Sequence, residues 1–314
     1  MFWKKLPQPF MILAPMADVT DWAFRQIVAE CGKPDVFYTE FISCDGLCSQ
    51  GRDRLMKHLY FTENERPIVA QFFGAKPEHF FQCAKLSKEL GFDGVDINMG
   101  CPDRKVIKQG AGAALIQNPS LAQEIIAASK EGAGSLPVSV KTRLGFDAIE
   151  TDKWIPKLLE TDLAAITIHG RTKKELSLVP AHWDEIGKVA DMAEGTETLI
   201  IGNGDVENLE EAESKIKMYG LDGVMVGRGI FKNPWFFNPN HSLRDETPLA
   251  RIILLRKHVG FFTQLWGEEK NFAQLKRFFK IYIQGWEGAK ELRIDLMGCH
   301  NSGEVEAILR KHGY

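Results

Sequence analysis

Eight short apolar runs punctuate the first 230 positions of the chain: FMILAPM (10–16), VFYTEF (36–41), IVAQFFG (68–74), GVDINMG (94–100), PVSVKTR (137–143), AITIHGR (165–171), TLIIGNG (198–204) and GVMVGRG (223–229). They are rich in β-branched and aromatic residues and bounded by Gly, Pro or Asp, which reads as buried strand. Their starts lie roughly 25–40 residues apart, enough for a helix and two loops in each interval. The intervals carry apolar residues at helical spacing, as in PEHFFQCAKLSKEL (77–90) and DVTDWAFRQIVAE (18–30), where Thr20 or Asp21 is placed to cap the helix. Near-continuously apolar strands belong to parallel sheets covered on both faces. Eight β-α units in succession therefore predict a (β/α)8 barrel, a TIM barrel, rather than an open sheet.

The pattern changes after about residue 235. The segment KNPWFFNPNHSLRDETP (232–248) interrupts helix and strand alike and reads as a linker. From about residue 249 only helical periodicity remains: ARIILLRKHVGFFTQLW (250–266), NFAQLKRFFKIYIQGW (271–286), AKELRIDLM (289–297) and SGEVEAILRKH (302–312). This predicts a small all-α helical bundle. In its second helix Leu275, Phe278, Phe279 and Tyr282 form a buried stripe, and Lys276, Arg277 and Lys280 a basic edge.

Charge sharpens that division. The net charge of −3 splits into 28 Lys and Arg against 35 Asp and Glu over residues 1–250, and 11 against 7 over residues 251–314. A basic module attached to an acidic one suits a polyanionic partner, although a solvated helical surface has the same composition. With 44% hydrophobic and 26% charged residues the chain has globular composition. No window approaches the roughly 18 apolar residues of a spanning helix, and MFWKKLPQPF (1–10) lacks the apolar core of a signal peptide, so a cytoplasmic location and no membrane partner are expected. The six cysteines, Cys31, Cys44, Cys48, Cys83, Cys101 and Cys299, are dispersed, which predicts free thiols rather than disulfides. Cys44 and Cys48 lack a second ligand pair, so packing is expected there and no metal site. Nothing calls for an obligate oligomer, and a monomer is expected.

In a barrel, polar residues at the strand C-termini converge on one mouth. Glu40, Gln71, Asn98, Lys141 with Arg143, and His169 end the second to sixth runs, and Pro15, Met16 and Ala17 the first. The last two runs end in GNGD, with Asn203, Gly204 and Asp205, and VGRG, with Gly227 and Arg228. Small residues and exposed backbone N–H groups at these ends are suited to a phosphate. Lys141 is placed to stabilise negative charge on a bound ring, the ordinary alternative being a salt bridge to Glu40 or Asp96. His169 can donate to an anionic ligand or serve the backbone alone. Cys101 follows the fourth run on a glycine-rich loop, where a thiol of ordinary pKa stays protonated at neutral pH and can act as an acid. Walker-type and G-x-G-x-x-G loops are absent, which excludes those nucleotide sites.

Seven of these segments, in barrel order, carry a resemblance. DINMGCPDRKVIKQGAGAAL (96–115), APMADVTDWAFR (14–25), QFFG (71–74), VSVKTRLG (138–145), ITIHGRT (166–172), IGNGDV (201–206) and GVMVGRG (223–229) make the chain similar to the tRNA-dihydrouridine synthases along almost its whole length. The resemblance implies an FMN-binding catalytic barrel over residues 1–240 and a helical tRNA-binding domain over 245–314. It implies FMN contacts from Pro15, Met16, Ala17, Gln71, Lys141 and His169, and a phosphate near Asn203, Gly204, Asp205, Gly227 and Arg228. Asn98 and Arg143 match positions lining the uracil pocket, and Cys101 matches the proton donor. The implied reaction delivers hydride from FMN, reduced by NADPH or NADH, to C6 of uracil, with the Cys101 proton going to C5. The alternatives are an FMN barrel acting on a free pyrimidine, like the dihydroorotate dehydrogenases, and a barrel retained only as an RNA-binding scaffold.

Overall fold

The computed structural model describes residues 2–241 and 247–314. Nine parallel strands form one sheet: β1 (Phe10–Leu13), β2 (Phe37–Tyr38), β3 (Ile42–Ser43), β4 (Ile68–Phe73), β5 (Gly94–Met99), β6 (Val138–Arg143), β7 (Ala165–His169), β8 (Leu199–Asn203) and β9 (Gly223–Val226). The pairing runs β1-β9-β8-β7-β6-β5-β4-β2, with β3 also on β4. An Ile12–Val36 bridge and the Leu13 N–H bond to the Val36 carbonyl close the circle between β1 and β2. This is the expected barrel. The second run differs in detail: it holds only the two-residue β2, and a second short strand, β3, just beyond its end, pairs separately with β4. Between them the hydroxyl of Thr39 donates to the Glu40 carbonyl and accepts from the Gln71 N–H, which supplies ladder hydrogen bonds by side chain where the backbone turns away.

Alternation along the strands fills the barrel in two chemical layers. Toward the strand N-termini lies an apolar cluster of Phe10, Ile12, Val36, Val69, Ala165 and Ile201, with Trp3 packed beneath it. Toward the C-termini the interior turns polar, with Gln71, Asp96, Asn98, Lys141, Thr167, His169 and Asn203. Register sets neighbours within that layer: Gln71 beside Asp96, Asn98 beside Lys141, Arg143 beside His169, and His169 beside Asn203. The outward faces pack on the surrounding helices as a second, larger core.

Asp21 caps the helix Trp22–Gly32 by accepting from the Phe24 N–H at 3.1 Å. Its other oxygen accepts from the indole of Trp266 at 2.8 Å, so the same carboxylate starts a barrel helix and anchors the C-terminal region. That region is helical, as expected: Pro248–Trp266, Ala289–Met297 and Ser302–Lys311. Its second predicted α-helix is instead a 3₁₀ turn, Phe272–Phe278, running into one α-turn, Phe279–Tyr282. Leu275, Phe278, Phe279 and Tyr282 are buried as the pattern required. The long helix lies along Trp22–Gly32, and the His258 ring sits between Phe24 and Phe278 with Nδ1 2.9 Å from the Tyr282 hydroxyl. The linker residues 242–246, on which the expected boundary between 240 and 245 mostly falls, lie outside the described residues.

Candidate functional site

The C-terminal ends of β6 to β9, with the loop after β1, enclose a cavity of about 540 Å3, within the usual range for a small-molecule site. Of the residues expected there, Pro15, Met16, Lys141, Arg143, His169, Asn203, Gly204, Asp205, Gly227 and Arg228 line it. Gln71 and Asn98 lie deeper, buried beneath the mouth. Ala17 is exposed outside the wall. Cys101 follows the lining residue Gly100 and is partly exposed. Glu40 serves elsewhere: it accepts from the Asp18 N–H and pairs with His58 at 2.9 Å, holding the loop after β1.

Lys141 makes an ion pair with neither Glu40 nor Asp96. Its Nζ donates to Asn203 Oδ1 at 2.9 Å, while the Asn203 amide donates to the Met225 carbonyl at 2.7 Å, which fixes that amide's orientation. Burial, with a smaller contribution from Arg143, pulls the Lys141 ammonium down to about 7 against the opposing charge of Asp96. Burial pushes Asp96 up to about 6, although bonds from Ser139 and Gln71 hold it back. His169 is driven well below its ordinary range by burial and then by Arg143, Lys141, Arg171 and Arg228, so it is neutral at physiological pH. Its Nδ1 is buried without a hydrogen-bond partner among the described residues. A small anionic or acceptor-rich ligand matches this wall, where cationic and N–H groups outnumber carboxylates.

The ends of β8 and β9 also offer backbone. Gly204 has φ +138°, reachable only by glycine, and an added Cβ would stand 2.8 Å from that of Ala181. The N–H groups of Gly204, Asp205, Gly227 and Arg228 donate to no acceptor among the described residues. Arg228 reaches Asp205 at 3.2 Å, and Arg171 binds the other Asp205 oxygen.

The Cys101 loop is braced from two sides. Asn98 Oδ1 accepts from the N–H groups of Gly100 at 3.1 Å and Cys101 at 2.9 Å. Arg143 Nε donates to the Gly100 carbonyl at 2.7 Å, and its Nη1 to the Thr172 and Leu176 carbonyls. On the far side Ala113 donates to the Cys101 carbonyl, and Gly112, at φ +61°, allows the approach, since a Cβ there would lie 2.8 Å from that oxygen. Burial raises the Cys101 thiol above its usual value and the Asp103 charge adds to this, so the sulfur holds its proton at neutral pH.

Arg171 is the main residue that strand-end reasoning passed over. It is buried, donates to the Val179 carbonyl at 2.6 Å and to Asp205, and stands 3.3 Å from His169 Nε2. Guanidinium is a donor only, so His169 Nε2 must accept and the ring proton must sit on Nδ1. The sequence signal was adjacency to His169, but the partners that define the role are distant in sequence.

Comparison with known proteins agrees with this architecture. The profile of the dihydrouridine synthase (Dus) family matches residues 12–312. The chain is 45% identical over 314 residues to a "Probable tRNA-dihydrouridine synthase 2" of Bacillus subtilis (strain 168), covering 98% of this chain and 95% of that one. It is 44% identical over 313 residues to a "Probable tRNA-dihydrouridine synthase" of Staphylococcus aureus (strain COL), covering 98% and 94%. Among solved structures, histamine dehydrogenase from Rhizobium sp. 4-9 superposes with a TM-score of 0.56 at 12% identity, over 80% of this chain and 48% of that one. Morphinone reductase in complex with tetrahydroNAD superposes with a TM-score of 0.50 at 14% identity, over 74% and 85%. These two share the barrel alone. The match over nearly the whole length, at more than two-fifths identity to its relatives, shows that the chain belongs to the dihydrouridine synthase family.

Proposed function

We propose that the chain reduces the C5–C6 double bond of uridine in tRNA, using FMN as cofactor and NADPH or NADH as electron source. One observation carries this reading: in a chain of this family, a cation-lined chamber opens beside a braced loop bearing a protonated thiol. The residues present fit a flavin mononucleotide. The free N–H groups at Gly204, Asp205, Gly227 and Arg228, with the Arg228 guanidinium and the Asn203 turn, suit its phosphate. Lys141 suits negative charge on the ring, and the unpartnered Nδ1–H of His169 needs an acceptor of the kind the ring or its side chain provides. In this reading Pro15 and Met16 would border the ring, with Gln71 beneath it and Ala17 outside the wall, and Asn98 and Arg143 would border the uracil. When bound, FMN supplies the two-electron chemistry between a nicotinamide donor and the pyrimidine.

The chain's own residues do the rest. Cys101 holds a proton at neutral pH and delivers it to C5, acting as general acid. Asn98 and Arg143 keep its loop in place, so that donor and ring carbon meet at a defined separation. The uridine must leave its stack to enter, as bases do for other enzymes that modify them. The C-terminal helices from Pro248 onward are the natural tRNA grip: Arg277 donates to the Asp18 carbonyl on the loop after β1, which sets that basic residue on a loop that borders the mouth. No helix among the described residues is long and apolar enough to cross a membrane. On this reading the enzyme works as a monomer in the cytoplasm.

The test is direct. Purified chain supplied with FMN, NADPH and unmodified tRNA should yield, by nucleoside mass spectrometry, uridine that has gained two hydrogens. Cys101→Ala should bind FMN as the wild type does and lose a factor of about 100 or more in uridine reduction. Absence of tRNA conversion by the wild type, with a free pyrimidine reduced instead, would reject the reading.

A further inference from the structure

Inside the barrel mouth one hydrogen-bond chain runs in a single direction. Asn98 Oδ1 accepts from the backbone N–H groups of Gly100 and Cys101, so Asn98 Nδ2 is left to donate, and it does so to Gln71 Oε1 at 3.0 Å. With its oxygen engaged, Gln71 donates Nε2 to Asp96 Oδ2 at 2.6 Å. The chain terminates there, because an ionised carboxylate only accepts. Ser139 donates to the remaining oxygen at 2.6 Å. Asp96, Gln71 and Asn98 are all buried, so solvent has little access to replace a lost partner.

We infer that Asp96 is a positioning residue: through the amides of Gln71 and Asn98, its carboxylate sets the polarity of a relay that holds the loop bearing the Cys101 thiol. Asp96 is not among the residues lining the cavity, and its side-chain hydrogen bonds go to Gln71 and Ser139 rather than to the loop. Reversing the Asn98 amide would turn its NH2 group toward two backbone N–H groups, and reversing that of Gln71 would set its NH2 against the Asn98 NH2 and its oxygen against the Asp96 carboxylate, so either reversal leaves like groups facing one another in a buried space. A second consequence concerns specificity. The oxygens of both amides are engaged inside the protein, so Gln71 and Asn98 have N–H hydrogens to offer a ligand, and ligand atoms set against them must be acceptors. This deepens the flavin and uracil reading and rests on it only for the identity of the ligand; the relay itself is a property of the chain alone.

Alkylation of Cys101 by iodoacetamide, followed by peptide mass spectrometry on ligand-free protein, reads the loop without any need for turnover. The exposed Cys48, outside the barrel mouth, is the internal control. Asp96→Ala should unpin the loop and speed Cys101 alkylation by about fivefold or more, with the Cys48 rate unchanged. Asp96→Asn keeps an acceptor of the same shape and should restore the rate to within about twofold of wild type. Should Asp96→Ala fail to fold, Gln71→Met breaks the relay one link further on and should give the same acceleration. A lowered melting temperature with an unchanged Cys101 rate, in whichever of these variants folds, would reduce Asp96 to a core-packing residue and overturn the inference. Because the readout needs neither flavin nor tRNA, failure of uridine reduction in the wild type would sink the proposed function and leave the relay standing.

Discussion

At the scale of single residues, Lys141 behaves far from its ordinary chemistry. Its ammonium titrates at about 7 in the free protein because it is buried beside Arg143. An anion bound next to it favours the charged form and raises that value. Binding is therefore coupled to proton uptake wherever the free lysine is neutral, which is above about pH 7. The affinity for FMN should accordingly fall as pH rises from about 7 to about 9, by up to about tenfold per pH unit. Calorimetry at about pH 8 in two buffers of different ionisation heat should show close to one proton taken up per FMN. Lys141→Met should bind more weakly and lose the pH dependence in this window. A wild-type affinity flat across it would mean that Lys141 does not face the ligand's charge.

Among the elements, the docking of the helix Pro248–Trp266 carries its own acid sensitivity. Burial lowers His258 from 6.5 to about 4, so the ring is neutral in the folded chain and gains a proton readily once undocked. A depressed folded pKa in a base means stability present above about 6.5 and lost as the pH falls toward 4, by at most about 3 kcal/mol. Denaturant midpoints measured from about pH 7 to about pH 4.5 should fall more steeply for wild type than for His258→Phe, and equal slopes would rule His258 out as the cause. Much of this level was legible in the chain. Seven of the eight apolar runs are single strands, because buried parallel strands need unbroken apolar sequence and little else produces it. The second C-terminal segment carries a buried stripe that suits an α-helix, yet Phe272, Leu275, Phe278 and Ile281 also recur every three residues, the period of the 3₁₀ turn it forms. The split into β2 and β3 was not readable, because it depends on the Thr39 hydroxyl meeting the backbone of β4. Strand-end positions located most of the cavity wall. The parts that escaped, Arg171 with Asp205 and Asp96 with Gln71, are bonds between different strands or loops, which no local pattern encodes.

Over the whole molecule the charge distribution is more informative than the net value. The C-terminal residues are basic in sum, yet part of their charge is spent internally: Lys276 donates to the Met297 carbonyl, Arg256 pairs with Glu306, and Lys257 with Glu30. Lys280 is exposed and makes no ion pair among the described residues, so it is the clearest candidate for a phosphate contact. Filter binding of tRNA over about 50 to 200 mM salt should show a log–log slope shallower by about 1 for Lys280→Glu than for wild type. Identical slopes would take that side chain out of the interface. The Trp3 indole, wedged under Phe10 and Ile12, matters at this scale too. Aromatic and aliphatic side chains stopper the floor, so that end of the barrel gives no passage to the chamber. On the proposed function, a nicotinamide donor and nucleic acid would then share the mouth and come in turn, and whichever lingered there would delay the other.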